Sequence, residues 1–172
     1  MTLRRAFLST WLAGLALFAV VIALSLPLAI PGVPGGIMDH QAAGTAAEVD
    51  RIQRAWRLAG LWNRATIAMI GDLVFIGVYG VGSVLAGLHF RRAPTAGLRL
   101  LGKGIVAAGV LFLVSDYAET VSELIQLIRF EGDDGLATLA ATVRPVKLVA
   151  WVATFVGVIA ALVGQHWLSA RA

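Results

Sequence analysis

The sequence predicts an all-α polytopic membrane protein: a four-transmembrane-helix bundle with a short amphipathic surface helix in the first loop. Composition is the first reason. Of 172 residues, 59% are hydrophobic and only 14% charged, and the mean hydropathy is +0.84, which excludes an ordinary water-soluble domain. The second is segment length. Four apolar stretches, at about 6–30, 65–90, 98–128 and 146–168, each reach the roughly 20 residues that cross hydrocarbon. Polar Gly- and Pro-containing turns separate them, so residues 1–172 read as a single membrane domain.

The first span follows Arg4-Arg5 and runs well past the ~7–15 apolar residues of a signal peptide. Pro27, Pro31 and Pro34 stand where a cleavage site would need small residues, so a retained helix is expected. Next, Pro31-Gly-Val-Pro-Gly-Gly forms a breaker-rich turn that delivers Asp39 and His40 to the membrane surface. Thr45-Ala-Ala-Glu48 has the spacing of a capping box, which predicts a helix over about 46–60, ended by Gly60. Val49, Ile52, Trp56 and Ala59 recur at helical spacing, with Asp50, Arg51, Arg54 and Arg57 on the other faces. That pattern fits equally a helix lying at headgroup level and a cap seated on the bundle. The second and third spans are joined by Arg91-Arg92-Ala-Pro, too short for anything but antiparallel neighbours. Gly77, Gly80, Gly82 and Gly87, and then Gly157, Ala161 and Gly164, offer small-residue faces for close helix packing.

Orientation by positive charge is evenly balanced: Arg4, Arg5, Arg91, Arg92, Arg99, Lys103 and Arg171 on one side face Arg51, Arg54, Arg57, Arg64, Arg129, Arg144 and Lys147 on the other. Arg4-Arg5 and Arg91-Arg92 abut the spans directly, which favours cytoplasmic N- and C-termini. The formal charge of +4 suits anionic lipid headgroups and, without an aromatic–basic groove, no nucleic acid. Absence of cysteine excludes disulfides, thiolate metal sites and a cysteine nucleophile.

Function is placed by acids inside the spans. Asp116, Glu119 and Glu123 lie within about 60° of one another on the third span, and Gln126 extends the stripe. Each ionised acid at bilayer depth costs at least ~2.5–3.5 kcal/mol, so such groups face a bundle interior and mark a site or a buried pair. On the second span Asp72 shares a face with Tyr79, at a depth between Glu119 and Glu123 on the antiparallel neighbour. Converging carboxylates either share a proton or bind a cation. Oxygen ligands from Asp72, Asp116 and Glu119 suit a divalent cation such as Mg²⁺, Ca²⁺ or Mn²⁺, and His40 would admit zinc or iron. Alternatively Lys147, Arg144, Arg64 or Arg129 pairs with the acids and fixes packing. Proximity to the interface makes Glu123 the acid best suited to that structural role, leaving Asp72, Asp116 and Glu119 for a ligand. His89 and His166 end spans that run the same way, but interfacial histidine explains them better than haem ligation.

Gly36-Ile-Met-Asp39-His-Gln-Ala-Ala-Gly44-Thr, Gly71-Asp72-Leu-Val-Phe75 with Tyr79, and Ser115-Asp116-Tyr-Ala-Glu119-Thr together resemble a family of uncharacterised bacterial four-helix integral membrane proteins. That family carries an acid in the first loop, an Asp-x-x-Phe motif with a following Tyr in helix two, and Asp-x-x-Glu-Asn in helix three. Here Gly71 stands for a Leu and Thr120 for the Asn. The resemblance implies a multi-pass protein of the bacterial inner membrane and adds Asp39 to the cluster; it implies no reaction.

No Walker A, GxSxG, HExxH or dinucleotide fingerprint is present, nor an inverted repeat, which disfavours a carrier. The sequence assigns no catalytic residue. Two readings stand. One is a bundle that binds an ion or small amphipathic ligand at the acids, or serves as accessory subunit of a larger membrane complex. The other is an intramembrane enzyme acting on a lipid or isoprenoid through a metal or a carboxyl acid/base. The enzyme requires acids lining a cavity open to lipid; the accessory protein requires acids paired and closed off. For orientation, Ala93→Cys should resist an impermeant thiol reagent in intact cells while Ala47→Cys is labelled. The reverse pattern would invert the topology.

Overall fold

The computed structural model describes residues 2–169, leaving Arg171 of the positive-charge count outside the described residues. Among the described residues six α-helices follow one another: α1 (Leu3–Ser25), α2 (Ile37–Gln41), α3 (Ala46–Leu58), α4 (Trp62–Phe90), α5 (Ala96–Arg129) and α6 (Asp134–Ser169), with a 3₁₀ turn at Leu26–Leu28. Four of them are long and apolar enough to cross a membrane. Leu12, Leu100, Val114, Val149 and Val156 point outward, the exposed apolar surface expected where lipid is the solvent.

Consecutive long helices are antiparallel neighbours: α1 packs along α4, α4 along α5, and α5 along α6. Glycine sets the first two crossings. A Cβ on Gly14 would sit 2.6 Å from Tyr79 Cα, and one on Gly82 would sit 2.6 Å from Trp11 N, so these two helices touch backbone to backbone. Gly87 plays the same part against Val106, where a Cβ would lie 2.7 Å from the backbone N. Between α6 and α1 the ring is closed by large side chains instead. Trp11 stacks on Phe155 at 5.9 Å and Phe18 approaches Trp151 at 5.3 Å. Tyr79, Phe75 and Phe112 complete this aromatic core.

α6 begins at Asp134, twelve positions before the expected start at 146, and carries Pro145 inside it. Proline removes one ladder hydrogen bond, a loss that neighbouring helices tolerate in membrane-type bundles. Asp133 supplies the start, its Oδ1 accepting from Leu136 N at 2.9 Å. α5 ends in Phe130, a left-handed residue with φ 59°. Its ring lies on Trp62 at 4.3 Å, with the Arg57 guanidinium 4.6 Å above, contacts that offset the ~1 kcal/mol cost of that backbone conformation.

α3 ends at Leu58, before Gly60 at φ +68°. It is a cap on the bundle. Val49, Ile52, Gln53 and Trp56 are buried, and the Trp56 indole donates to Leu28 O at 2.9 Å, so Trp56 faces a second apolar core with Leu28, Met69 and Leu127 rather than lipid headgroups. Only half of the capping box forms. Thr45 Oγ1 accepts from Glu48 N at 3.4 Å, but the Glu48 carboxylate turns to Arg51 (2.6 and 2.8 Å). That hydrogen-bonded guanidinium holds the Glu48 carboxyl below its ordinary range. Asp134 Oδ1 instead accepts from Ala46 N at 2.7 Å, and Asp50 Oδ1 from Gly132 N at 2.6 Å. The cap is thus tied to the α5–α6 turn.

Substituting Gly82→Leu or Gly14→Leu should separate α1 from α4 and lower stability by at least the ~1–3 kcal/mol typical of overpacking. Gly104→Ala, where a Cβ meets nothing within 4 Å, should raise stability by up to ~1 kcal/mol. Thermal unfolding in detergent distinguishes the two classes.

Candidate functional site

Along one face of α5, Ser115, Asp116, Glu119, Thr120, Ser122, Glu123 and Gln126 are all buried. The i, i+3, i+4, i+7 spacing of Asp116, Glu119, Thr120 and Glu123 aims them together, and α6 meets them with Lys147. Its Nζ lies 3.0 Å from Asp116 Oδ1 and 3.0 Å from Glu119 Oε2. The first contact is a hydrogen bond. The second is an ion pair off hydrogen-bond alignment, which leaves both Glu119 oxygens without a donor. From α4, Asp72 accepts from Thr120 Oγ1 at 3.1 Å, so Thr120 bridges two helices.

Structural pairing therefore falls on Asp116 and Glu119, the acids expected to serve a ligand, and not on Glu123. The reason is reach: α6 presents Lys147 at the depth of Asp116, below the cap. Arg144 is half-buried nearer the helix start. Glu123 is 2% exposed, with His40 Nδ1 3.9 Å from its Oε2 and no hydrogen-bond partner for its Oε1. His40 is equally buried, its ring tilted against Trp56 at 5.3 Å with Gln53 Nε2 3.3 Å from its Nε2.

The loop delivers His40 to the acids but turns Asp39 away. Asp39 Oδ2 accepts from Gly35 N at 2.7 Å, which closes its own turn. Tyr79 also departs from the wall position expected for it, because its hydroxyl bonds Thr154 Oγ1 at 2.9 Å within the aromatic core. Gln126 joins the turn, accepting from Asp133 N at 3.0 Å. His89 lies against Phe7 at 5.2 Å, whereas His166 is exposed.

Beside these acids a cavity of about 530 Å³ opens between α1 and α6. Asp72, Asp116, Glu123 and Lys147 lie along one wall, and Phe18, Val21, Phe75, Phe112 and Trp151 form the apolar remainder. Its rim includes Ile22, Leu26, Ala29 and Met38, all exposed, so the mouth faces sideways from the bundle. Gly36, at φ +57°, turns the chain across its roof, where a Cβ would meet Ala29 N at 3.0 Å. Among the described residues no three His, Cys, Asp or Glu side chains converge as a metal site would, and the Lys147 ammonium occupies the centre of the Asp116–Glu119 pair. The donor set thus does not fit a divalent cation held by Asp72, Asp116 and Glu119, one of the alternatives the sequence left open.

Fold and site together define a four-helix bundle of membrane-crossing type with a laterally open cavity and an acidic inner wall. Comparison with protein-family models, curated proteins and solved structures finds no match to this chain.

Lys147, Thr120, Gln53 and Thr154 are the partners sequence reading underrated. Only Lys147 carries a signal, as a basic residue just inside the fourth apolar stretch at about 146–168. Two buried carboxylates share this single ammonium, which predicts an asymmetry. Lys147→Met strands buried acids and should cost about 3–5 kcal/mol, whereas Asp116→Asn leaves Lys147 paired with Glu119 and should cost much less. Unfolding temperatures in detergent that fall equally for both would contradict this.

Proposed function

We propose that this multi-pass protein binds a small amphipathic ligand in the cavity between α1 and α6. The supporting observation is one space that joins a sideways apolar mouth to a charged inner wall. A ligand entering from the lipid phase could keep its chain against Phe18, Val21 and Trp151 while its polar end reaches the acids. A volume of about 530 Å³ falls within the ~300–1,000 Å³ of small-molecule sites. The cavity disfavours a purely closed accessory bundle, although membership in a larger membrane complex is compatible with it. We place the protein in the bacterial inner membrane with cytoplasmic termini, and the resemblance to the bacterial four-helix family belongs to the same proposal.

A second reading, an enzyme acting on a lipid or isoprenoid by carboxyl acid/base chemistry, draws on Asp72 and Glu123. These two wall acids lack the direct Lys147 contact of Asp116 and Glu119, leaving them free to exchange protons with a bound substrate. Turnover of the retained molecule that is lost in Glu123→Gln would favour the enzyme.

Native mass spectrometry of protein released from membrane nanodiscs should show one retained amphiphile per chain. Ser25→Trp, which fills the cavity from α1, should abolish it. Absence of any adduct from the wild type, or equal retention by the variant, would remove the proposal.

A further inference from the structure

Resting on that ligand-binding reading, we infer that the cavity is built for a single-chain amphiphile with an alkylammonium headgroup, recognised by Glu123 and Asp72. Charge is the starting point. Lys147 meets Asp116 and Glu119, His40 lies 3.9 Å from Glu123, and Asp72 meets Thr120, so the four carboxylates outnumber the two bases beside them. Lys147 is committed to Asp116 and Glu119 at 3.0 Å each. The two acids without an ammonium contact are therefore Asp72 and Glu123, both on the cavity wall.

Glu123 supplies an independent observation. Its Oε1 is buried without a hydrogen-bond partner, and His40 Nδ1 lies 3.9 Å from its Oε2. A buried carboxylate oxygen with no donor costs several kcal/mol unless the carboxyl takes up a proton or a ligand supplies a donor. Asp72 accepts one hydrogen bond, from Thr120, and a carboxylate has capacity for more. A headgroup with several N–H donors and a positive charge meets both needs. An inorganic divalent ion does not, because among the described residues no three carboxylate or imidazole side chains are grouped as a metal site would need. An anionic headgroup would face the surplus acids. Phe75, Phe112 and Trp151 on the same walls favour an organic cation further through their ring faces, and the apolar mouth accounts for the chain.

The test uses full-length protein in phosphatidylcholine nanodiscs with three probes of equal chain length, dodecylammonium, dodecanol and dodecanoate, read by native mass spectrometry. Retention of dodecylammonium should exceed that of dodecanol at least tenfold, with dodecanoate lowest. Glu123→Gln and Asp72→Asn should each reduce dodecylammonium to the dodecanol level, while Glu131→Gln, an exposed acid, should not. If Glu123→Gln fails to fold, Asp72→Asn and the wild-type headgroup series carry the same test. Equal retention of dodecanol and dodecylammonium would overturn the cationic class while leaving the amphiphile cavity intact. Preference for dodecanoate would make Lys147 the recognising group and overturn it too. Retention of no probe by wild type, as by Ser25→Trp, would remove both readings.

Discussion

A single ammonium, Lys147, is the constraint on which the inner half of this bundle depends. Carboxylates at bilayer depth are costly unless compensated, and Lys147 meets two of them at 3.0 Å. That contact fixes the register of α5 against α6. Because Pro145 lies only two residues earlier in α6, the lysine is presented from a segment whose own hydrogen-bond ladder is interrupted. Thr120 then links the α5 stripe to α4 through Asp72. Three helices thus meet at one polar point within an otherwise apolar interior, and such networks tend to specify one arrangement because alternatives leave charges unpaired.

The cap converts this interior into a site with a roof. α3 is seated by Trp56 on Leu28 and tied through Asp134 and Asp50 to the α5–α6 turn at the same end of the bundle. Its Gln53 positions His40 above Glu123. Meanwhile α1 contacts α6 through aromatic side chains, and so the two can stand apart where the cavity opens. Tight glycine crossings on the α1–α4 and α4–α5 sides and looser aromatic closure on the α6–α1 side arise from the same economy of side-chain size. The opening falls where the sequence provides bulk rather than glycine.

Much of this was legible without coordinates. Four spans, the first-loop helix, the glycine faces of α4 and the shared face of Asp116, Glu119 and Glu123 follow from periodicity, because 3.6-residue spacing and hydrophobic length are local properties. The convergence of Asp72 with the α5 acids followed from a short antiparallel connection. Harder to read was the start of α6 at Asp134, since an internal proline in a polar stretch looks like a boundary. The partner helix face of Gly14 and the half-formed capping box also depended on residues distant in the chain.

Sequence by itself determined the membrane-type all-α class, the helices and which acids share a face. Tertiary structure decided the rest. Whether Lys147 reaches Asp116 or Glu123, whether Asp39 faces the acids or its own turn, and whether Tyr79 lines a cavity or a core depend on relative helix depth and rotation. A few ångströms of axial shift or tens of degrees of rotation exchange one partner for another, and those quantities are set by packing between distant segments rather than by any local pattern.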